Sequence, residues 1–404
     1  MGTTVEQLKK CDEVMAESSL EVRPVIVNSL VPRETFAALR SCVYLNQASL
    51  GLVPEASTEA MVRFAVDVAQ HGNVLLSDAQ EARILDELRA AGAAFLDAPP
   101  GSVAVVGGAS EGLGQLAAIL ASRPGAVVLI RTDFPSVTYP WLGAQQRMGT
   151  SIRWVDDQPS KDLTEGLLEA IETDTSTVCI SAVQYATGSG VNVHAIVRRA
   201  HQVGAKVIVD VTQLAGAAPM SMRDWGADAV VCSGYKWLSG HGGVALLAVD
   251  KALAEETPHL VGWKGAADPF DFHADQLSLA PDARRFELST MAYGSAVSLS
   301  ASLSLLAEIG MPTIAEHAAE LANELVSRVA PLGWAPFRSL DSVASTSHIL
   351  SLRHPTRTAV EVQRLLEEAG VVVSSRGGGI RVSLHHYNDS SDISALVNAL
   401  TTLR

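Results

Sequence analysis

Between residues 101 and 249, short apolar runs alternate with helical stretches, and this alternation restricts the possible folds more than any other feature of the chain. The runs lie at Val103–Val106 and at 126–130, 151–155, 177–183, 206–211, 228–232 and 243–249. Most are separated by helical segments, so they predict an α/β fold on a mostly parallel seven-stranded sheet with helices on both faces. In sheets of this kind ligands bind at the carboxyl ends of the strands.

The flanks read differently. Residues 1–40 are mixed and polar, an N-terminal arm with a helix expected around Arg33 to Arg40. Val43 to Ser49 reads as a short strand entering a turn, and a long helical pattern runs from Pro54 to about Leu96 with a break at His71-Gly72-Asn73. After about 290 the pattern changes to helices at 293–309 and 312–330, strands near 347–352 and 380–384, and a last helix after Asp389. A chain of 404 residues suits two domains. The expected division is an arm at 1–40, a large domain at 41–289 and a smaller C-terminal α+β domain at 290–404.

Charge and cysteine usage exclude several function classes. The net charge is -14 and no basic cluster is longer than Arg198-Arg199 or Arg284-Arg285, which argues against a nucleic-acid partner. The four cysteines (Cys11, Cys42, Cys179, Cys232) are scattered without metal-ligand spacing, so neither a disulfide framework nor a metal site is expected, and a reducing cytoplasm fits best. The start lacks the regions of a signal peptide, and the longest uncharged stretch, Leu288 to Ala307, is too rich in serine for a membrane span.

The segment Ala229 to Trp237 places a lysine, Lys236, where a buried strand passes into a small-residue turn. Burying an ammonium costs several kcal/mol or forces the amine neutral, and a neutral amine forms Schiff bases with aldehydes. A second strand, Lys206 to Asp210, ends in a carboxylate at the ligand-binding edge. A third, Val103–Val106, enters a helix through Gly107-Gly108-Ala109-Ser110, where free amides and the helix dipole can cradle a phosphate. An aldehyde cofactor with a protonated pyridine ring needs these three elements: a lysine, a carboxylate for the ring nitrogen and a phosphate cradle. The spacing Ser233-x-x-Lys236 also occurs in penicillin-binding enzymes, but there the lysine sits on a helix and has partner motifs that this chain lacks.

The order Gly108-Ala109-Ser110-Glu111, Asp210-x-x-Gln213, Ser233-Gly-Tyr-Lys236, Arg285-Phe-Glu287-x-Ser-Thr290 and Arg381-Val-Ser383-x-His-x-Tyr387-Asn388 resembles the class V aminotransferases among the fold-type I pyridoxal phosphate (PLP) enzymes. The resemblance runs from about Tyr44 to the C-terminus. It implies PLP as cofactor, Lys236 as the Schiff-base lysine, Asp210 at the pyridine nitrogen and Gln213 near the ring hydroxyl. Gly108, Ala109, Ser110 and Ser233 would hold the phosphate and Phe134 would stack on the ring, while Tyr235, where many relatives have histidine, would bind phosphate, tune a proton transfer or only pack. Thr290 would reach the cofactor of a neighbouring subunit, which makes a homodimer the expected state. Arg381 matches the arginine that grips a substrate carboxylate, with Arg376 a second candidate. The loops around Ala48-Ser49, Tyr185 and His241 are expected to face the cofactor and to set the substrate by their shape, with Ala48 touching the substrate.

One departure directs the functional expectation. Cysteine desulfurases in this family carry a reactive cysteine just before the strand of Arg381, and Ser374 to Gly379 contains none. The expected reaction is therefore β-elimination from an S-substituted cysteine, a carbon–sulfur lyase on a small amino-acid substrate. Transamination, epimerisation and decarboxylating deamination are the alternatives sharing the same cofactor, and a PLP-binding regulator without turnover is the alternative from another class.

Overall fold

The computed structural model describes residues 26–402. The first 25 positions of the expected arm and Leu403-Arg404 lie outside the described residues. Where a helix was expected around Arg33 to Arg40 there are two 3-10 turns, Arg33–Thr35 and Ala37–Arg40. Phe36 between them is extended, with φ -124° and ψ 107°, and its ring is buried against Tyr387. Burying that aromatic breaks the helical path.

In chain order the elements are β1 (Val43–Tyr44), α1 (Glu55–His71), α2 (Asp78–Phe95), β2 (Val103–Val106), α3 (Ala109–Leu120), β3 (Ala126–Ile130), α4 (Pro135–Met148), β4 (Ser151–Val155), α5 (Leu163–Ala170) and β5 (Thr175–Ser181). There follow α6 (Val193–Gln202), β6 (Lys206–Asp210), α7 (Met222–Trp225), β7 (Ala229–Ser233), β8 (Ala245–Val249), α8 (Lys251–Glu255), α9 (Tyr293–Ile309) and α10 (Met311–Val329). The last part holds β9 (Ala335–Pro336), β10 (Ile349–Arg353), α11 (Ala359–Glu368), β11 (Val371–Val372), β12 (Ser374–Arg376), β13 (Gly379–Ser383) and α12 (Ser390–Thr402).

Strands β2 to β8 form one seven-stranded sheet in the order β2-β8-β7-β6-β5-β3-β4. β8 runs antiparallel to both neighbours and every other pair is parallel. Alternation along each strand divides its side chains between two cores. Val105, Val128, Ile180, Val209 and Val230 face one layer of helices, whereas Ala104, Val127, Cys179, Ile208 and Val231 face the other. Buried along their whole length, β2, β3 and β8 read as unbroken apolar runs.

A second core belongs to the antiparallel sheet β12-β13-β10-β9 and helices α10 to α12, with Leu321, Val362, Val382 and Leu396 inside it. Leu45 and Val27 from the start of the described chain are buried in this core too, and β1 pairs in parallel with β11. Helix α9 packs elsewhere: its Leu299, Leu303 and Leu306 enter the core of the seven-stranded sheet. By packing, we propose a division at Gly310, with residues before β2 shared between the units, in place of breaks at 40 and 289. Among the described residues no single helix is long and apolar enough to cross a membrane.

Candidate active site

Four parallel strands deliver side chains to one place. β3, β5, β6 and β7 end at Ile130, Ser181, Asp210 and Ser233. Phe134, Ser181, Asp210, Thr212, Ser233 and Lys236, at or just beyond these ends, line a common cavity of about 160 Å³. Gly108, Ala109 and Ser110 at the start of α3, with Ser136, Tyr185, Gln213 and Tyr235, complete its wall.

Lys236 is almost fully buried, and its Nζ lies 5.0 Å from the centroid of the Phe134 ring and 5.8 Å from that of Tyr235. Burial pulls its pKa down to about 8, with Asp210 opposing the shift and Arg381 adding to it. The loop that carries it is clamped from the N-terminal side. Gln47 Nε2 donates to Lys236 O at 2.9 Å, and Gly51 N donates to Tyr235 O at 2.9 Å. A Cβ on Gly51 would stand 2.0 Å from Lys236 O, so only glycine permits this approach. From the other side, Trp237 Nε1 donates to Gln213 Oε1 at 2.7 Å, and Gln213 Nε2 donates to Ala48 O at 3.1 Å.

Asp210 is buried, and burial raises its pKa against the hydrogen bonds of Thr212. The Thr212 amide donates to Oδ1 at 2.7 Å, and the Thr212 hydroxyl accepts from Ser233 N at 3.1 Å. A carboxylate held this way favours a cationic partner. At the opposite end, no side chain caps the start of α3, so its first amides keep free donor capacity, and Ser110 Oγ meets Ser136 Oγ at 2.6 Å. The donors, the buried acid and the depressed amine match the phosphate, ring nitrogen and aldehyde of PLP, so the residues present fit that group.

Arg381, 1% exposed, donates through Nη1 to Tyr185 O at 2.8 Å and through Nη2 to Asn46 Oδ1 at 3.4 Å and to Ser49 Oγ. Its Nε is buried without a partner. A guanidinium surrounded only by neutral acceptors is prepared for an incoming carboxylate.

The other expected positions lie further out. Arg376 is exposed at the end of β12, next to the turn of the β12–β13 hairpin. Thr290 is exposed and does not line this chain's own cavity. Ala48 does not line the cavity either: its side chain joins a small apolar cluster with Val183, Ala217, Trp237 and Ile349, so only its carbonyl serves the site. His241 is half-buried and has an unpartnered Nε2. Sequence reasoning missed Thr212, Ser181 and Asp133. Asp133 takes hydrogen bonds from Ser181 and from Phe134 N, and nothing in its local pattern separates it from a helix cap.

A doubly wound sheet with a buried lysine and a buried acid at its carboxyl edge, beside an uncapped helix start, defines a fold-type I PLP enzyme. The chain belongs to the class-V aminotransferase family, whose profile matches residues 43–396. Its curated relatives include an uncharacterized aminotransferase, YcbU, of Bacillus subtilis, 29% identical over 74% of this chain and 79% of that protein. A probable cysteine desulfurase of Streptomyces coelicolor is 29% identical over 90% of this chain and 92% of that one. Among solved structures, the cystine C-S lyase C-DES with its product cysteine persulfide superposes with TM-score 0.82 at 20% identity, over 90% of this chain and 98% of that one. A C-DES variant with glycine covalently linked to its PLP gives TM-score 0.84 at 20% identity, over 92% and 99%. The protein is a PLP-dependent enzyme of the aminotransferase and cysteine desulfurase-like kind.

Proposed function

We propose that the enzyme cleaves the bond between the β-carbon and sulfur of an S-substituted L-cysteine, releasing a thiol, pyruvate and ammonia with consumption of one water. The β12–β13 hairpin carries this reading. Arg376 pairs with Gly379 across a two-residue turn, Gly377-Gly378, with φ of 55° and 79°. Only glycine takes such angles easily, and a turn this short cannot carry a sulfur-accepting side chain into the cavity. Of the described cysteines, Cys179 and Cys232 are buried with their thiol pKa values pushed up by burial, and none lines the cavity. Without an acceptor cysteine at the cavity among the described residues, sulfur leaves as a small molecule in this reading.

PLP, when bound, supplies an electron sink for the α-carbon. Ala109, Ser110, Ser136 and Ser233 would hold its phosphate, Asp210 its ring nitrogen and Phe134 its face. Arg381 fixes the substrate carboxylate and so orients the α-hydrogen toward Lys236. The Lys236 amine, with a pKa of about 8, removes that proton and returns it to the departing thiolate. Tyr235 and Phe134 beside Nζ keep bulk water from the amine. We also take the enzyme to be a homodimer in which exposed Thr290 completes the neighbour's phosphate site, and to work in the cytoplasm.

The test is incubation of the purified enzyme, with a Lys236→Ala control, on an S-alkyl-L-cysteine with products identified by mass spectrometry. Lysine-dependent thiol and pyruvate support the reading. A keto acid with retained sulfur, an inverted amino acid or an aldehyde overturns elimination in favour of transamination, epimerisation or decarboxylation. Persulfide transfer from free cysteine also overturns it.

A further inference from the structure

Arg376 has no part in the chemistry above and does not line the cavity, yet the hairpin register puts it on the same face as Arg381. In the β12–β13 hairpin Ser374 stands opposite Arg381, and Arg376 opposite Gly379. Cross-strand partners share a face, and positions two apart along a strand share it too, so Arg376 and Arg381 project from the same side. Residues in this diagonal relation stand about 7–8 Å apart. Gly379 has no side chain, so the partner strand leaves Arg376 uncovered.

The hairpin is held in place. Arg353 Nη2 donates to Gly377 O at 2.8 Å, Ser375 N donates to Gln363 Oε1 at 2.6 Å, and a Cβ on Gly377 would lie 3.3 Å from Ala186. Ala186 follows Tyr185, which lines the cavity and takes the Arg381 hydrogen bond. Arg376 itself donates only to the carbonyl of its neighbour Ser375, at 2.8 Å. Neither Arg376 nor Arg381 meets a carboxylate among the described residues, although the chain carries 44 acidic residues against 30 basic ones. After burial, the charge of Arg376 is the next cause holding the Arg381 pKa down to about 10, which places the two cations in mutual reach.

We propose that Arg376 is a second anion site, and that the substrates are dianionic: the α-carboxylate sits on Arg381 while an acidic group at the far end of the S-substituent sits on Arg376. An acid on the leaving group would relieve the repulsion between the two arginines, which an alkyl substituent cannot do. That the second acid sits on a sulfur-bound leaving group rests on the elimination reading; the dianion preference does not.

The experiment titrates the PLP-loaded enzyme with 2-aminoadipate and with norleucine, following the cofactor absorbance. The two ligands differ by a terminal carboxylate in place of a methyl group, and neither has a leaving group. The wild-type enzyme is expected to bind 2-aminoadipate about tenfold more tightly. That ratio should collapse toward one in Arg376→Gln and recover in Arg376→Lys. A wild-type ratio near one, or a ratio that survives Arg376→Gln, overturns the proposal. Thiol release from S-carboxymethyl-L-cysteine is measured alongside. A preserved ratio without thiol sinks elimination and keeps the anion site, whereas thiol release with no ratio does the reverse.

Discussion

Asp133 accepts the Ser181 hydroxyl at 2.6 Å and the Ser181 amide at 2.8 Å, and also takes the amide of Phe134 at 2.7 Å. One buried carboxylate thus ties the end of β5 to the ring proposed to stack on the cofactor. Burial, only partly offset by these hydrogen bonds, raises the Asp133 pKa to about 6 from an ordinary 3.8. The folded state then binds this proton more readily than the unfolded chain between about pH 4 and 6, so the group's contribution to stability falls as pH rises through that window. The full difference is on the order of 3 kcal/mol. Asp133→Asn removes it: in urea unfolding at stepped pH, wild-type stability should fall relative to the variant from pH 4 to 6. A constant difference would contradict the assignment.

Lys236 loses its proton near pH 8 in place of the ordinary 10.5. Uptake of PLP by the apoenzyme should therefore speed up between about pH 7 and 9 and then level off, because only the neutral amine attacks an aldehyde. Stopped-flow absorbance checks the profile. A rate still climbing at pH 10 would mean that the amine is not desolvated. Lys236→Ala should show no pH-dependent phase.

Gly51→Ala forces a methyl group into Lys236 O. Backbone strain of this kind costs about 1–3 kcal/mol. The expected result is a lower melting temperature together with weaker PLP retention, read by thermal unfolding with and without added PLP. Unchanged retention with lowered stability would show that the clamp supports the fold but not the lysine.

Trp237→Phe keeps an aromatic ring, though a smaller one, and removes the N–H from Gln213 Oε1, a buried acceptor. A loss of about 1–3 kcal/mol is expected in chemical denaturation. Restoring stability with a second change, Gln213→Leu, would show that the cost lies in the unmet acceptor.

Arg381→Lys keeps the charge but not the fork. Tyr185 O and Ser49 Oγ then lose donors, and two-pronged carboxylate binding is lost. The expected effect is at least a tenfold rise in KM, since about 1.5–3 kcal/mol attaches to such a bond. An unchanged KM would move carboxylate binding elsewhere.

Six of the seven strands of the main sheet could be read from the sequence because they are buried and flanked by turn residues, so burial and local pattern agree, while the half-buried edge strand β4 showed through its turn-bounded β-branched and aromatic run. Lys236 and Asp210 stood out because charge at the end of an apolar run is costly without a partner. The direction of the Ala48 side chain, into an apolar cluster, was not legible because adjacency to a turn does not tell which way a small side chain points. Thr212, Ser181 and Asp133 left no trace, since a hydroxyl or a short acid after a strand looks like any helix cap. The burial of Leu45 with Val382 depends on pairing between β1 and β11, and no window of local sequence contains both strands.

That same long-range pairing sets the order in which the enzyme is completed during synthesis. Arg381 donates hydrogen bonds to Asn46 Oδ1 and Ser49 Oγ across sequence separations of 335 and 332 residues. The ribosome therefore releases the cofactor cradle and the lysine long before the substrate clamp. Until the last strands emerge, β1 waits without its partner, and a half-made chain has the lysine but no grip on a substrate.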